Sequence, residues 1–123
     1  MDSSIETASL TRLHWGAVAL AAVTGLIHLA IGASSIASFG FEPLAVALAL
    51  AGLGFFGAIL LFLRDVRRQQ LYIAGILFTG LQIVLWVQFN QLGGDPAVSP
   101  VEIIDKLVQV VLIAVLAVLS RQP

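Results

Sequence analysis

The residues able to do chemistry in this chain are few, and they stand in runs that are otherwise aliphatic. His28 lies in "TGLIHLAIG", Gln82 in "TGLQIVLW", and Asp105 and Gln109 in "SPVEIIDKLVQVV". An imidazole can exchange protons or take a ligand, and a carboxylate and carboxamides can hold it in place. Glu102, Asp105, Lys106 and Gln109 follow i, i+3, i+4, i+7, which is one face of a helix. His28 falls about midway along its run, with Thr24 one turn below it, and Gln82 falls near the middle of its own, beside Thr79 and Trp86. A bundle can therefore bring His28, Gln82, Asp105 and Gln109 to similar depth. Such a cluster can fix helix register, contact a ligand or partner subunit, or line a proton or solute path, and ionisable residues within apolar spans are enriched at functional sites.

The charges around it divide into structural and unexplained ones. Ser99 followed by Glu102, with Pro100 at the first helical position, spells a capping box. Glu102 also meets the positive end of the helix dipole and precedes Lys106 by four residues, the favourable order for an ion pair. Glu102 thus has a structural role. Asp105 does not: the uncharged stretch after it, Leu107 to Leu119, covers only about 20 Å at 1.5 Å per residue, so Asp105 and Gln109 are expected within the outer half of a bilayer. An aspartate deep in lipid costs roughly 2.5–3.5 kcal/mol and must face inward and pair. Lys106 can neutralise Asp105 or Glu102, or extend to the interface.

Other chemistries find little support. The chain has no cysteine, which removes thiolate catalysis and cysteine-held metals. It contains no H-E-x-x-H, P-loop or G-x-S-x-G. Two histidines and scattered carboxylates make no metal cage, so neither a metal nor a catalytic residue is expected. His14 and His28 lie fourteen residues apart near one helical face, a spacing resembling haem-ligating pairs, but a second copy would have to supply the remaining ligands. Haem or quinone is the weakest reading, and no cofactor is expected. With a net charge of −1 there is no basic field for nucleic acid.

These residues need helices to position them. The chain of 123 residues is 59% hydrophobic and only 11% charged, with a mean hydropathy of +1.04. A soluble domain carries about a quarter charged residues, so the solvent for most of this surface is expected to be lipid. Crossing a bilayer core takes about 20 helical residues, and four runs qualify: about 13–35, 43–63, 71–90 and 100–119. The first is expected to be retained rather than cleaved, because a basic start and a small-residue cleavage site are missing. The links "IASFGFE", "RDVRRQQ" and "QLGGDPAVS" are short, which favours antiparallel neighbours. The expected fold is all-α, a single membrane domain forming an up-down-up-down four-helix bundle.

Charge orients it. Arg12, Arg64, Arg67, Arg68 and Arg121 fall on the side of the termini and the middle link, while Glu42, Asp95, Glu102 and Asp105 fall opposite with Lys106. Positive charge stays inside, so both termini are expected in the cytoplasm, with Arg64, Arg67 and Arg68 marking topology and touching lipid headgroups. Small residues then decide which faces meet, because burying leucine gains nothing in lipid. Ala17, Ala21 and Gly25 in the first span, Gly52, Gly54, Gly57 and Ala58 in the second, and Gly75 and Thr79 in the third are candidates for close packing within the bundle or a homo-oligomer.

On "LHWGAVALAAVTGLIHLAIG", "LYIAGILFTGLQIVLW" and "SPVEIIDKLVQVVLIAVL", nearly the whole chain resembles a family of small four-helix membrane proteins from halophilic archaea, which carries no assigned activity. In architecture alone it is similar to DoxX-like four-span proteins, which occur as quinone-linked oxidoreductase subunits. The expected function is a non-enzymatic accessory or interaction subunit, in a homo-oligomer or a larger membrane complex, with its polar cluster in the outer half of the bilayer. The alternative is a small transporter or channel-like oligomer using His28 and Asp105; a redox subunit comes third.

Overall fold

The computed structural model describes residues 7–92 and 99–122. Four helices account for most of them: α1 (Arg12–Phe39), α2 (Pro43–Leu63), α3 (Arg68–Leu92) and α4 (Pro100–Arg121). Each is long and apolar enough to cross a membrane. No strand occurs among the described residues. Asp95 and most of the link between α3 and α4 lie outside them.

Two links are tighter than the sequence suggests. The segment "IASF" continues α1 through Phe39, so only Gly40 to Glu42 separate α1 from α2. Gly40 has φ of 85°, a left-handed backbone that glycine adopts without a Cβ penalty, and its amide closes on Ile36 O at 2.8 Å. Pro43 then opens α2 at a position where its missing N–H costs nothing. At the opposite end α3 starts at Arg68, inside "RDVRRQQ". The turn places Asp65 and Arg67 at φ of 57° and 46°. Arg68 secures it by donating from Nε to Phe62 O at 2.8 Å while its guanidinium lies 4.8 Å from the Phe62 ring centre. A cation thus sits at the carbonyl end of α2, where the helix dipole favours positive charge.

α1 and α4 pack side by side, α2 covers α1, and α3 covers α4; α2 and α3 meet only briefly. Contacts pair residues in opposite chain order. Gly25 meets Gly52 while Gly32 meets Ala45 and Ala49. Thr24 bonds Gln109, and Trp86 bonds Glu102 while Gln69 bonds the Ser120 carbonyl. The last bond, with one from Arg68 Nη1 to Ser9 Oγ at 3.3 Å, brings the middle link, the segment before α1 and the end of α4 together. Arg12, Arg64, Arg67, Arg68 and Arg121 therefore share one end, here the basic end. Glu42, Glu102, Asp105 and Lys106 occupy the other.

The small-residue seams are only partly those marked in the sequence. The tightest is between α1 and α2, where Gly25 and Gly32 face Ala45, Ala49 and Gly52. Gly75 gives α3 a close approach to Leu116 of α4. Gly57 has open space around it, and Gly54 makes only ordinary contact with Phe78. Ala17 instead joins the apolar core with Phe55, Phe62, Tyr72, Leu112, Leu116 and Leu119. Outward faces carry leucines more than half exposed, such as Leu26, Leu50, Leu77 and Leu107, while Thr24, Thr79 and Gln109 are fully buried. That inversion suits a molecule whose surroundings are hydrocarbon.

Candidate functional site

Toward the acidic end, α1, α3 and α4 meet through one polar layer. Thr24 is its hub. Its hydroxyl donates to Asp105 Oδ1 at 2.6 Å and accepts from Gln109 Nε2 at 3.2 Å, and its carbonyl accepts from His28 Nδ1 at 2.8 Å. Gln109 Nε2 also donates to Gln82 Oε1 at 3.0 Å, which ties α3 to α4. Lys106 Nζ reaches Asp105 Oδ2 at 3.1 Å and donates to Gln109 Oε1 at 2.8 Å, with the Trp86 ring centre 5.7 Å away. His28, Gln82, Asp105 and Gln109 therefore do converge, and every hydrogen bond and ion pair among these links passes through Thr24, Asp105 or Gln109.

Helical geometry explains the hub. Thr24 and His28 are i, i+4 on α1, so the ring folds back onto the carbonyl one turn below. A carbonyl only accepts, so Nδ1 carries a proton, and in the neutral ring Nε2 holds the lone pair. Asp105 Oδ1 stands 3.6 Å from the same Nδ1, too long for a second hydrogen bond but close enough to favour the N–H dipole. The sequence marks Thr24 only by its spacing from His28; nothing local distinguishes it from Thr79, which has no such partner.

The layer separates two cavities. A cleft of about 450 Å³ lies on the acidic side, lined by Ile27, His28, Leu48, Trp86, Glu102 and Lys106 among others. On the basic side a smaller apolar cavity of about 70 Å³ is lined by Ala21, Phe55, Ala58, Tyr72, Thr79 and Leu112 among others. Two buried polar atoms on α3, Thr79 Oγ1 and Gln82 Nε2, have no hydrogen-bond partner. The same substitution should therefore act in opposite directions at two threonines. Thr79→Val should raise the unfolding free energy in micelles by about 1 kcal/mol, since it removes an unpaired buried hydroxyl. Thr24→Val should lower it by about 1–3 kcal/mol, since it leaves Asp105 and Gln109 short of partners. Thermal unfolding in dodecyl maltoside reads both; a destabilised Thr79→Val would mean that the hydroxyl has found a partner, such as water, in the cavity.

Ser99 and Glu102 form a reciprocal cap. Ser99 N donates to Glu102 Oε2 at 2.9 Å, and Glu102 N donates to Ser99 Oγ at 3.3 Å. Glu102 does not pair with Lys106. Its second oxygen accepts from Trp86 Nε1 at 3.2 Å, while Lys106 turns to the more buried Asp105. His14 lies at the basic end, stacked on Phe62 with ring centres 6.0 Å apart. Its Nδ1 accepts from the Thr11 amide at 3.0 Å. Because that atom accepts, His14 carries its proton on Nε2, the opposite tautomer to His28. Arg64, Arg67 and Arg68 remain at the basic end, away from the polar layer. Among the described residues no group of three or more histidine, aspartate or glutamate side chains is placed to hold a metal ion.

Fold and site together define a small all-α protein of four helices, each able by length and apolarity to span a bilayer, organised around a buried polar layer. The chain belongs to the family of unknown function DUF7475, whose model matches residues 2–120. No curated protein and no solved structure matches it.

Proposed function

We propose that this is a multi-pass membrane protein, up-down-up-down with both termini in the cytoplasm, that acts as a small accessory or interaction subunit. Its contact site is the cleft above the polar layer. The observation that carries this reading is the placement of His28, Asp105 and Lys106 at the floor of a cleft whose rim is Trp86 and Glu102. A network serving only to set helix register would not require a cavity beside it. The orientation is supported by the five arginines gathered at one end and by the positive-inside bias. Kinship with four-helix proteins of halophilic archaea, and a DoxX-like architecture, belong to the same proposal and rest on the three sequence segments quoted above.

Extraction in mild detergent, followed by mass spectrometry of whatever co-purifies, tests the function. A bound molecule or larger complex should accompany the native protein and be lost with His28→Phe. A preparation that is clean and alone would count against it.

A second reading has an observation of its own. Thr79 Oγ1 and Gln82 Nε2 extend the polar layer toward the inner cavity with hydrogen-bonding capacity unmet, as the start of a proton or solute path would. Proteoliposomes should then show flux that falls on Asp105→Asn or His28→Ala.

A further inference from the structure

We infer that the cleft binds a neutral amphiphile through a hydroxyl group, an alcohol or phenol on a hydrocarbon body, with His28 Nε2 as the acceptor. The inference rests on the proposal that the cleft is a contact site, and it names the ligand class by elimination among the groups that line it.

The charged groups already have hydrogen-bond partners. Lys106 has three N–H bonds; Asp105 Oδ2 and Gln109 Oε1 take two of them, and the Trp86 ring lies within cation–π range of the ammonium. Asp105 Oδ1 accepts from Thr24, Glu102 Oε1 from Trp86, and Glu102 Oε2 from the Ser99 amide. Lys106 is engaged by Asp105, and Glu102 adds a negative charge that disfavours an anion; a cation is opposed by the Lys106 ammonium and would have to compete for Glu102 oxygens that already accept from Trp86 and Ser99. His28 is different. It is only 4% exposed, and it lines the cleft. Its Nδ1 is taken by the Thr24 carbonyl, which leaves Nε2 as the ring nitrogen available to the cleft. In the neutral ring that nitrogen is an acceptor with no protein donor. A buried acceptor in a low-dielectric site gains from a ligand that donates to it. The other walls are the apolar Ile27, Ile31, Leu48 and Val101, with Ser99, whose hydroxyl oxygen caps α4 by accepting from the Glu102 amide. A volume of about 450 Å³ is within the usual range for a small-molecule site.

The test uses full-length Trp15→Phe protein in dodecylphosphocholine, a detergent without a hydroxyl group, so that Trp86 is the sole indole reporter. Dodecanol and dodecyl methyl ether are the probes, alike in hydrocarbon but not in donor. Dodecanol should change Trp86 fluorescence saturably, and the ether should bind about tenfold more weakly, the cost of one unmade hydrogen bond. Nitrogen-15 spectra of the histidine ring should show Nδ1 protonated and the Nε2 resonance moving on addition of dodecanol but not of the ether. His28→Phe should erase the difference between the probes. The spectra need no variant, so a misfolded His28→Phe leaves the test intact. Equal binding of both probes, a linear unsaturable response, or a ring protonated on Nε2 would overturn the inference. A protein partner co-purifying with the chain would leave the contact-site reading standing even then.

Discussion

Asp105→Leu is expected to lower the unfolding free energy by about 2–4 kcal/mol, among the largest effects of any single side chain here. Asp105 is 4% exposed and holds three helix-borne groups: the Thr24 hydroxyl, the Lys106 ammonium and the His28 N–H dipole. Removing one member of a buried ion pair strands the other, at roughly 3–5 kcal/mol. The figure is reduced here because Lys106 can extend toward the acidic end and recover hydration. The decisive comparison is the double variant Asp105→Leu/Lys106→Met. An ion pair replaced as a unit by apolar side chains costs little and often stabilises, so the double variant should regain most of what the single one loses. Asp105→Asn should fall between, because it still accepts from Thr24. Unfolding by sodium dodecyl sulfate titration in mixed micelles reads all three. If the double variant is as unstable as Asp105→Leu, then Asp105 and Lys106 are not coupled, and the layer is not organised as its distances imply.

The second large effect belongs to a single methyl group. A Cβ at Gly32 would sit 2.5 Å from Ala49 N and 2.9 Å from both Ala45 O and Ala49 Cα. All three are backbone atoms on α2, so no side-chain rotation can relieve the clash, and α1 and α2 must part along the seam. Overpacking costs typically about 1–3 kcal/mol. In lipid the loss is not offset by burying apolar surface elsewhere, because close approach is itself the packing force. Gly32→Ala is therefore expected at or above the top of that range. Gly52→Ala should behave alike, its Cβ meeting Gly25 O and Leu29 N at 2.7 Å. At Gly25 the new atom meets Phe55 Cβ at 3.0 Å and Gly52 O at 3.3 Å, and the loss should be smaller. Gly57→Ala, with nothing within 4 Å, should be neutral or gain up to about 1 kcal/mol from helix propensity. The same titration ranks the four; a Gly32→Ala protein as stable as Gly57→Ala would show that the seam is not closed.

Both results concern features the sequence displays unevenly. Four spans, the Ser99–Glu102 cap and the grouping of arginines on one side could be read directly, because each depends on residues close together in the chain. Span length, the S-x-x-E spacing and charge counts in links are local quantities. The surplus length of α1 and the early start of α3 were harder to see, since Gly40 and the Asp65–Arg67 turn end and begin helices through backbone conformation rather than hydropathy.

Which small residues and which polar residues meet is another matter. Gly25, Gly32, Gly52 and Gly57 look alike along the chain, yet two face backbone on a neighbouring helix within 3 Å and one faces open space. Thr24 and Thr79 each stand in a "TGL" triplet. Rotation about the helix axis gives the first Asp105 and Gln109 and leaves the second with no partner. Sequence by itself determined the number and apolar character of the helices and the chemical types available to them, because those follow from the chain and its solvent. Only the tertiary structure decided that Thr24 is the hub, that Lys106 serves Asp105 and not Glu102, and that His28 borders a cleft. Those outcomes depend on the rotation and depth of each helix against its neighbours, which a nearly uniform aliphatic pattern does not encode.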